Sequence, residues 1–496
     1  MAIIPLPQQI EWKSGFYTLQ ADVRIFIDST IQSPTDLGDY LADSLRDNIQ
    51  CTLSVEDASE KPKQNCISLG LEEGNEKLGE EGYELSIHEE WIQLTAWKPA
   101  GLFYGIQTLR QIASHSENGQ IPCVQIRDVP QYPWRGVLLD CARHFLDKEF
   151  IKRYIDLSAH HKLNRLHLHL TDDQGWRIEI KKYPELTKVG AYRKDGDGVY
   201  GDFYTQEDLR EIVEYAEKRF VTIIPEFEMP GHASAAIASY PHLSCRGESI
   251  PVQTKWGIFA DVFCPGKEST FEFLEGVLDE ITQIFPSEFI HIGGDEAPRD
   301  RWKECPHCQK RMRENDFQQE DELQGYLIKR IAEFLASKNR RLIGWDEILD
   351  VGGLPDTAVV QSWRGMKGAI RAAQLHHDVI SSPNQYVYFD YPQDEQQQKS
   401  KPNWMRMTPI ETVYQFQPTP PELSAEDSRR VWGAECTMWT EHAPQEKIDE
   451  QLFPRICAFS ETVWSPGEGR DWDHFQERLQ SHLKRLDRMG VNYYRP

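Results

Sequence analysis

Two carboxylates stand side by side, Asp295 and Glu296, at the end of the run EFIHIGGDE (288–296). A carboxyl group next to another negative charge keeps its proton to higher pH, which suits one of the pair to general acid work near neutrality. Other short apolar runs end in comparable residues: Asp140 and Arg143, His169, Asp172 and Asp173, Glu226, Glu228 and His232, Trp345, Asp346 and Glu347, Trp363, Tyr388 and Asp390, Trp439 and Glu441. Carboxylates protonate or hydrogen-bond hydroxyls, and flat indole faces stack on pyranose rings. The set contains no serine elbow, no cysteine nucleophile and no glycine-rich phosphate cradle, so a neutral sugar is the substrate class it fits. Two adjacent side chains do not readily flank one glycosidic bond from opposite sides, which disfavours a conventional acid–nucleophile pair. They also alternate in direction on a regular strand. Both reach one pocket only if the backbone departs from β geometry, and Gly293 and Gly294 permit that departure.

These residues need a frame that gathers many strand ends. Eight apolar, β-branched runs supply it: 135–143, 163–173, 221–232, 288–296, 340–347, 357–365, 377–382 leading to YVYFD (386–390), and 431–441. Amphipathic helical stretches lie between them, such as 205–219, 269–284 and 318–337, as a repeated parallel βα unit requires. Eight such units predict a closed α/β barrel whose active site lies at the C-terminal strand ends. An open doubly wound sheet is the rival, but no run leads into a G-x-G-x-x-G turn or a phosphate-binding Gly-Lys loop. Ahead of the barrel, β-like runs at 23–27, 83–87 and 91–96 and helical stretches at 36–49 and 101–114 predict a small α+β domain. The segment 114–134, punctuated by Gly119, Pro122, Pro130 and Pro133, marks the boundary. The expected division is an N-terminal α+β domain, 1–125, and a catalytic (β/α)8 barrel, 130–496.

Charge narrows the partners. The chain has 55 Lys+Arg against 79 Asp+Glu, a formal net charge of −24, which repels nucleic acid and anionic membranes. No apolar stretch is long enough to span a bilayer, and the start MAIIPLPQQIEWKSG has neither a basic n-region nor a sustained apolar segment. As written the chain reads as cytoplasmic; removal of a leader would make it secreted or periplasmic. Ten cysteines in 496 residues are too sparse for a disulfide scaffold, although Cys245 with Cys264, and Cys305 with Cys308, are possible pairs. Cys305-Pro-His-Cys308 resembles half of a zinc or redox site, but without a second CxxC it is read as a loop disulfide or two free thiols. His167 and His169 lack a third ligand at metal spacing, so neither a metal nor a cofactor is expected. Trp134, Trp256 and Trp472 are read as packing residues. The acidic runs near Glu72 and Glu80, and the stretch 393–399, are read as solvated loops.

The ordered motifs LDCARHF (139–145), HLHLTDDQGWR (167–177), PEFEMPGHA (225–233), HIGGDE (291–296), GWDE (344–347), QSWRG (361–365), YVYFD (386–390) and MWTE (438–441) resemble those of the family 20 glycoside hydrolases, the β-N-acetylhexosaminidases. The resemblance is strong over about 130–480, and the N-terminal domain is similar to the one that commonly precedes this barrel. It implies removal of terminal β-linked GlcNAc or GalNAc from oligosaccharides, with Glu296 as acid and then base. Asp295 would hold the substrate's acetamido N–H while its carbonyl oxygen attacks C1, giving an oxazolinium intermediate without an enzymic nucleophile. Tyr388 would hydrogen-bond the acetamido carbonyl, and Trp345, Trp363 and Trp439 would wall the sugar subsite. Arg143, Asp390 and Glu441 would grip the outer hydroxyls and close the pocket, which implies exo action. Asp172 and His232 would tune Glu296 from behind, with Asp173 the other candidate for the task given to Asp172. Two rivals stay open at this stage: a conventional retaining glycosidase using Glu347 or Asp390 as nucleophile, and an inactive sugar-binding protein.

Overall fold

A computed structural model describes residues 2–28, 31, 34–49, 53–57, 64–72, 74–114 and 119–495. The first seven strands are β1 (Gln9–Thr18), β2 (Arg24–Ile27), β3 (Ser54–Asp57), β4 (Cys66–Leu71), β5 (Tyr83–Ile87), β6 (Trp91–Ala96) and β7 (Gln120–Asp128). They form one sheet in the order β1-β7-β5-β6-β4-β2-β3. Strands β5 and β6 fall where alternation places them, whereas β1 and β7 were not expected. β7 lies inside the segment read as boundary, because Pro122 interrupts an otherwise regular apolar alternation, and it carries the sheet three residues past 125. Residues 115–118 of that segment lie outside the described residues.

The helix Pro99–Ala113 is buried on nearly every side, the polar Gln107, Thr108 and Gln111 included. It sits on β5 and β6 and meets the second domain, where Phe103 packs on Phe220 and Tyr104 on Trp464, each at 5.2 Å between ring centres. Two ion pairs cross the same interface, the second fully buried. Arg135 donates to both oxygens of Glu81 at 2.7 and 2.9 Å, and Lys162 Nζ donates to Asp128 Oδ2 at 2.8 Å. Asp128 also accepts from Tyr83 and from the Trp464 indole.

Next come β8 (Trp134–Asp140) and β9 (Arg165–His169), then two hairpins, β10 (Thr171–Asp172) with β11 (Gly175–Trp176) and β12 (Arg193–Asp195) with β13 (Gly198–Tyr200). The remaining strands are β14 (Thr222–Glu226), β15 (Phe289–His291), β16 (Arg341–Trp345), β17 (Val359–Ser362), β18 (Asp378–Ser381) and β19 (Val431–Met438). Strands β8, β9 and β14 to β19 close into an all-parallel barrel, with β19 pairing back onto β8. Each of the eight expected runs supplies one barrel strand. Helices such as Gln206–Glu217, Glu268–Ile284 and Asp321–Ser337 lie between them.

The barrel interior is layered. Its N-terminal end is filled by Trp134, Ile224, Phe289, Ile343, Val359 and Ile380, the packed layer that keeps such a barrel from being a pore. Towards the C-terminal end the registers set Asp140, His169, Glu226 and His291 side by side across four neighbouring strands. His291 Nδ1 lies 2.7 Å from Glu226 Oε1, His167 Nδ1 lies 2.7 Å from Glu435 Oε1, and Gln361 donates to Glu435 at 2.9 Å. These ring nitrogens are engaged by carboxylates, which fixes the floor on which the residues above it rest.

Candidate active site

The chain leaves β15 at His291 and turns out of β geometry at once. Gly293, Gly294 and Glu296 have φ of 66°, 96° and 45°, the left-handed region that glycine enters freely and other residues rarely do. This irregular turn lets Asp295 and Glu296 both face one cavity of about 520 Å³. The size suits a small ligand. Gly293 is required for a second reason, since a side chain there would place Cβ 1.6 Å from Glu228 Oε2.

Ten of the sequence-derived candidates line that cavity: Asp295, Glu296, Tyr388, Arg143, Trp345, Trp363, Asp390, Trp439, Glu441 and His232. Asp172 lies behind them, fully buried. It faces three cationic or imidazole groups: Arg143 Nη2 at 2.8 Å, His169 Nε2 at 2.8 Å and His232 Nδ1 at 3.2 Å. Burial works against its charge, but Arg143 and His232 outweigh burial and hold its carboxyl well below the usual range. Burial likewise opposes the charge on His232, and Asp172 reverses the balance, keeping the imidazole protonated well above its ordinary range. The other ring nitrogen, Nε2, points at the acid pair, 3.5 Å from Asp295 Oδ2 and 3.7 Å from Glu296 Oε2. Asp173 flanks the same imidazole, its Oδ2 3.4 Å from His232 Nδ1. Its Oδ1 accepts from the backbone N–H and hydroxyl of Ser234.

Glu296 keeps its proton to higher pH than an ordinary glutamate, through burial first and the Asp295 charge second, with His232 and Arg143 pulling the other way. Asp295 Oδ1 is buried without a protein hydrogen-bond partner. An unsatisfied buried acceptor in a ligand cavity is positioned to receive a donor from the ligand. Glu228, buried below the turn, is pushed well up by burial and by the charges of Asp295 and Glu226.

Aromatic rings form the walls. Trp345 and Trp439 stand 5.9 Å apart between ring centres, Tyr388 lies 6.3 Å from Trp439, and Trp363 stacks on Tyr388 at 6.2 Å. Polar residues beneath hold them in place: the Trp345 indole donates to Glu226 at 3.0 Å and the Trp363 indole to Glu347 at 2.9 Å. Arg143 Nη1 is 3.3 Å from Asp140 Oδ2 and 3.8 Å from Glu441 Oε1, with its guanidinium over Trp439. Asp140 shapes the turn that presents Arg143, accepting from the backbone N–H of both Ala142 and Arg143.

Sequence reasoning missed one wall. Trp256, read as a packing residue, lines the cavity with Gly257 and Ile258, and Tyr391, Trp404 and Met405 face it as well. Ile258 and Trp404 are 55% and 69% exposed, and apolar residues isolated in polar loops were the available signal. The stretch 393–399 is not simply a solvated loop. Glu395–Gln398 form a short helix, and Gln393 and Gln397 are buried.

Fold and site together place the chain among the glycoside hydrolases built on a (β/α)8 barrel. The chain belongs to glycosyl hydrolase family 20, whose catalytic-domain model matches residues 132–467 and whose domain 2 model matches residues 1–129. A β-hexosaminidase of Porphyromonas gingivalis is 43% identical over 506 residues, covering all of this chain and 64% of that protein. The chain thus spans just under two thirds of that relative's length. Among solved structures, a GH20 exo β-N-acetylglucosaminidase from Vibrio harveyi in complex with N-acetylglucosamine superposes with a TM-score of 0.90 at 33% identity, covering 100% of this chain and 78% of that one. A β-N-acetylhexosaminidase from Bacteroides fragilis gives 0.88 at 33% identity, covering 99% and 97%.

Proposed function

We propose that this protein is an exo-acting, retaining β-N-acetylhexosaminidase that removes terminal non-reducing β-GlcNAc or β-GalNAc from oligosaccharides, with the substrate's acetamido group as nucleophile. The observation that carries this reading is the pairing of a proton-holding Glu296 with Asp295 Oδ1, a buried acceptor without a partner. Glu296 protonates the leaving oxygen, and the resulting carboxylate then takes a proton from the attacking water. Asp295 accepts the acetamido N–H and balances the positive charge that grows as the carbonyl oxygen closes on C1. Tyr388 orients that carbonyl between Trp345, Trp363 and Trp439. Arg143, Asp390 and Glu441 line the cavity with groups that can grip the outer hydroxyls of a terminal sugar, which supports exo action.

A carboxylate nucleophile fits less well. Glu347 is pushed up to about 9 by burial and the Asp295 charge, and Asp390 to about 8 by burial and the Glu441 charge. Both are protonated at neutral pH and poor nucleophiles. The test compares hydrolysis of 4-nitrophenyl β-GlcNAc with that of the matching β-glucoside. Fast cleavage of the first alone, blocked by a GlcNAc-thiazoline, is expected; comparable cleavage of both would demand an enzymic nucleophile, and cleavage of neither a binding role.

A further inference from the structure

Away from the sugar cavity, four cysteines from two distant segments meet. Cys245 follows the short turn Pro241–Leu243, and Cys264 lies at the far end of the next loop. Cys305 and Cys308 open the helix Pro306–Glu314. Cys264 Sγ is 3.5 Å from Cys308 Sγ and 3.7 Å from Cys305 Sγ, and Cys245 Sγ is 3.8 Å from Cys308 Sγ. All four sulfurs lie within 4.8 Å of one another, and none is bonded to another. The two pairs read separately in the sequence are therefore one cluster.

Four thiolates about 2.3 Å from one tetrahedral ion stand about 3.8 Å apart along the edges of the tetrahedron. Three of the six separations, at 3.5, 3.7 and 3.8 Å, match that edge, and the others lie within 4.8 Å. Disulfides join sulfurs two at a time at about 2.05 Å, whereas here Cys264 is nearly equidistant from two others, as shared ligation requires and pairing does not. We propose that Cys245, Cys264, Cys305 and Cys308 hold one zinc ion in a closed, four-thiolate structural site.

The surroundings suit such a site. Cys264, Cys305 and Cys308 are buried among Val262, Trp302, Met312 and Leu323, and soft thiolates without oxygen ligands favour zinc over hard cations. Cys305 occupies the cap position of its helix, where the positive end of the helix dipole stabilises thiolate. A Cβ on Gly266 would fall 2.3 Å from the Cys308 backbone nitrogen. Only glycine lets the Cys264 loop approach the first turn of the helix this closely. Four thiols surrender their protons to solvent as the ion binds, with no change of oxidation state.

The ion would act as a staple beside the active site. Trp256, Gly257 and Ile258, on the cavity wall, lie in the loop between Cys245 and Cys264, and Cys305 lies nine residues beyond Glu296. All four sulfur positions being filled, the site has no open position for catalysis.

The test measures metal in the full-length protein, purified without a metal-chelating column, by plasma mass spectrometry and native mass spectrometry. About one zinc per chain is expected, as for a structural site formed with the fold, and the Cys305→Ser/Cys308→Ser variant should lose it. Zinc retained at full occupancy in that variant would place the ion elsewhere and overturn the proposal. So would a metal-free wild type, whether its thiols titrate freely or its intact mass shows the hydrogen loss of disulfides. Should the variant not fold, cobalt exchanged into the wild type gives the answer. Intense sulfur-to-cobalt charge-transfer absorption with tetrahedral cobalt bands supports the site, and their absence rejects it.

Discussion

Glu296 titrates under burial and the charges of Asp295, His232, Arg143 and Asp172, and the charges can be removed singly. In the proposed mechanism its protonated form is the acid, so kcat/KM should fall on the alkaline side as pH rises through its raised pKa. Asp295→Asn removes a charge that raises that pKa and should move the alkaline limb to lower pH. His232→Gln removes a charge that lowers it and should move the limb upward. pH–rate profiles on one aryl glycoside check both, and shifts in the same direction would refute the arrangement. Glu296→Gln should lose about 10²- to 10⁴-fold on natural oligosaccharides and less on 4-nitrophenyl glycosides, whose leaving group needs little protonation. Equal losses on both would remove Glu296 from the acid role. At this scale the sequence was informative about residue type and blind to distance. Asp172 and Asp173 are adjacent in it, and only packing shows that both face His232 Nδ1, at 3.2 and 3.4 Å, while Asp173 alone also holds Ser234.

At the scale of the element, the geometry of the carboxylate pair depends on a strand that stops early. β15 is three residues long, and its exit places Glu296 at φ 45°, a conformation that costs a residue bearing a Cβ about 1–2 kcal/mol. Glu296→Gly should therefore be more stable to urea than Glu296→Ala by about 1 kcal/mol, the reverse of the usual ranking of the two residues. The opposite order would mean that the turn is not held left-handed in solution. Alternation of strand side chains said that Asp295 and Glu296 could not share a pocket on a regular strand, and two glycines said where regularity fails. Neither disclosed that Glu228 fills the space a Gly293 side chain would need. That contact joins residues 65 apart in the chain.

Across the whole molecule, the N-terminal sheet is fastened to the barrel by buried charge. Lys162 and Asp128 are both fully buried and paired at 2.8 Å. Burial lowers the pKa of Lys162, with Asp128 opposing it. Asp128→Ala strands that ammonium group in the interface, and removal of one partner from a buried pair costs about 3–5 kcal/mol. Thermal unfolding should show the loss as a lower midpoint or as separate melting of the two domains. An unchanged single transition would show that the pair does not couple them.

The sequence by itself determined the eight βα units, the acid pair, the tryptophans and the strand ends on which they lie. Each of these is encoded locally, in apolar periodicity, glycine placement and short motifs. Tertiary structure alone decided what depends on contacts between distant segments. Strand β7 was hidden because its meaning lies in pairing with β1 and β5 rather than in its own composition. Trp256 became a cavity wall because its loop folds over the barrel mouth. Cys245 and Cys264 joined Cys305 and Cys308 because two loops of one barrel face converge. Spacing along a chain specifies which residues are neighbours on an element, but closure of the barrel specifies which elements are neighbours in space.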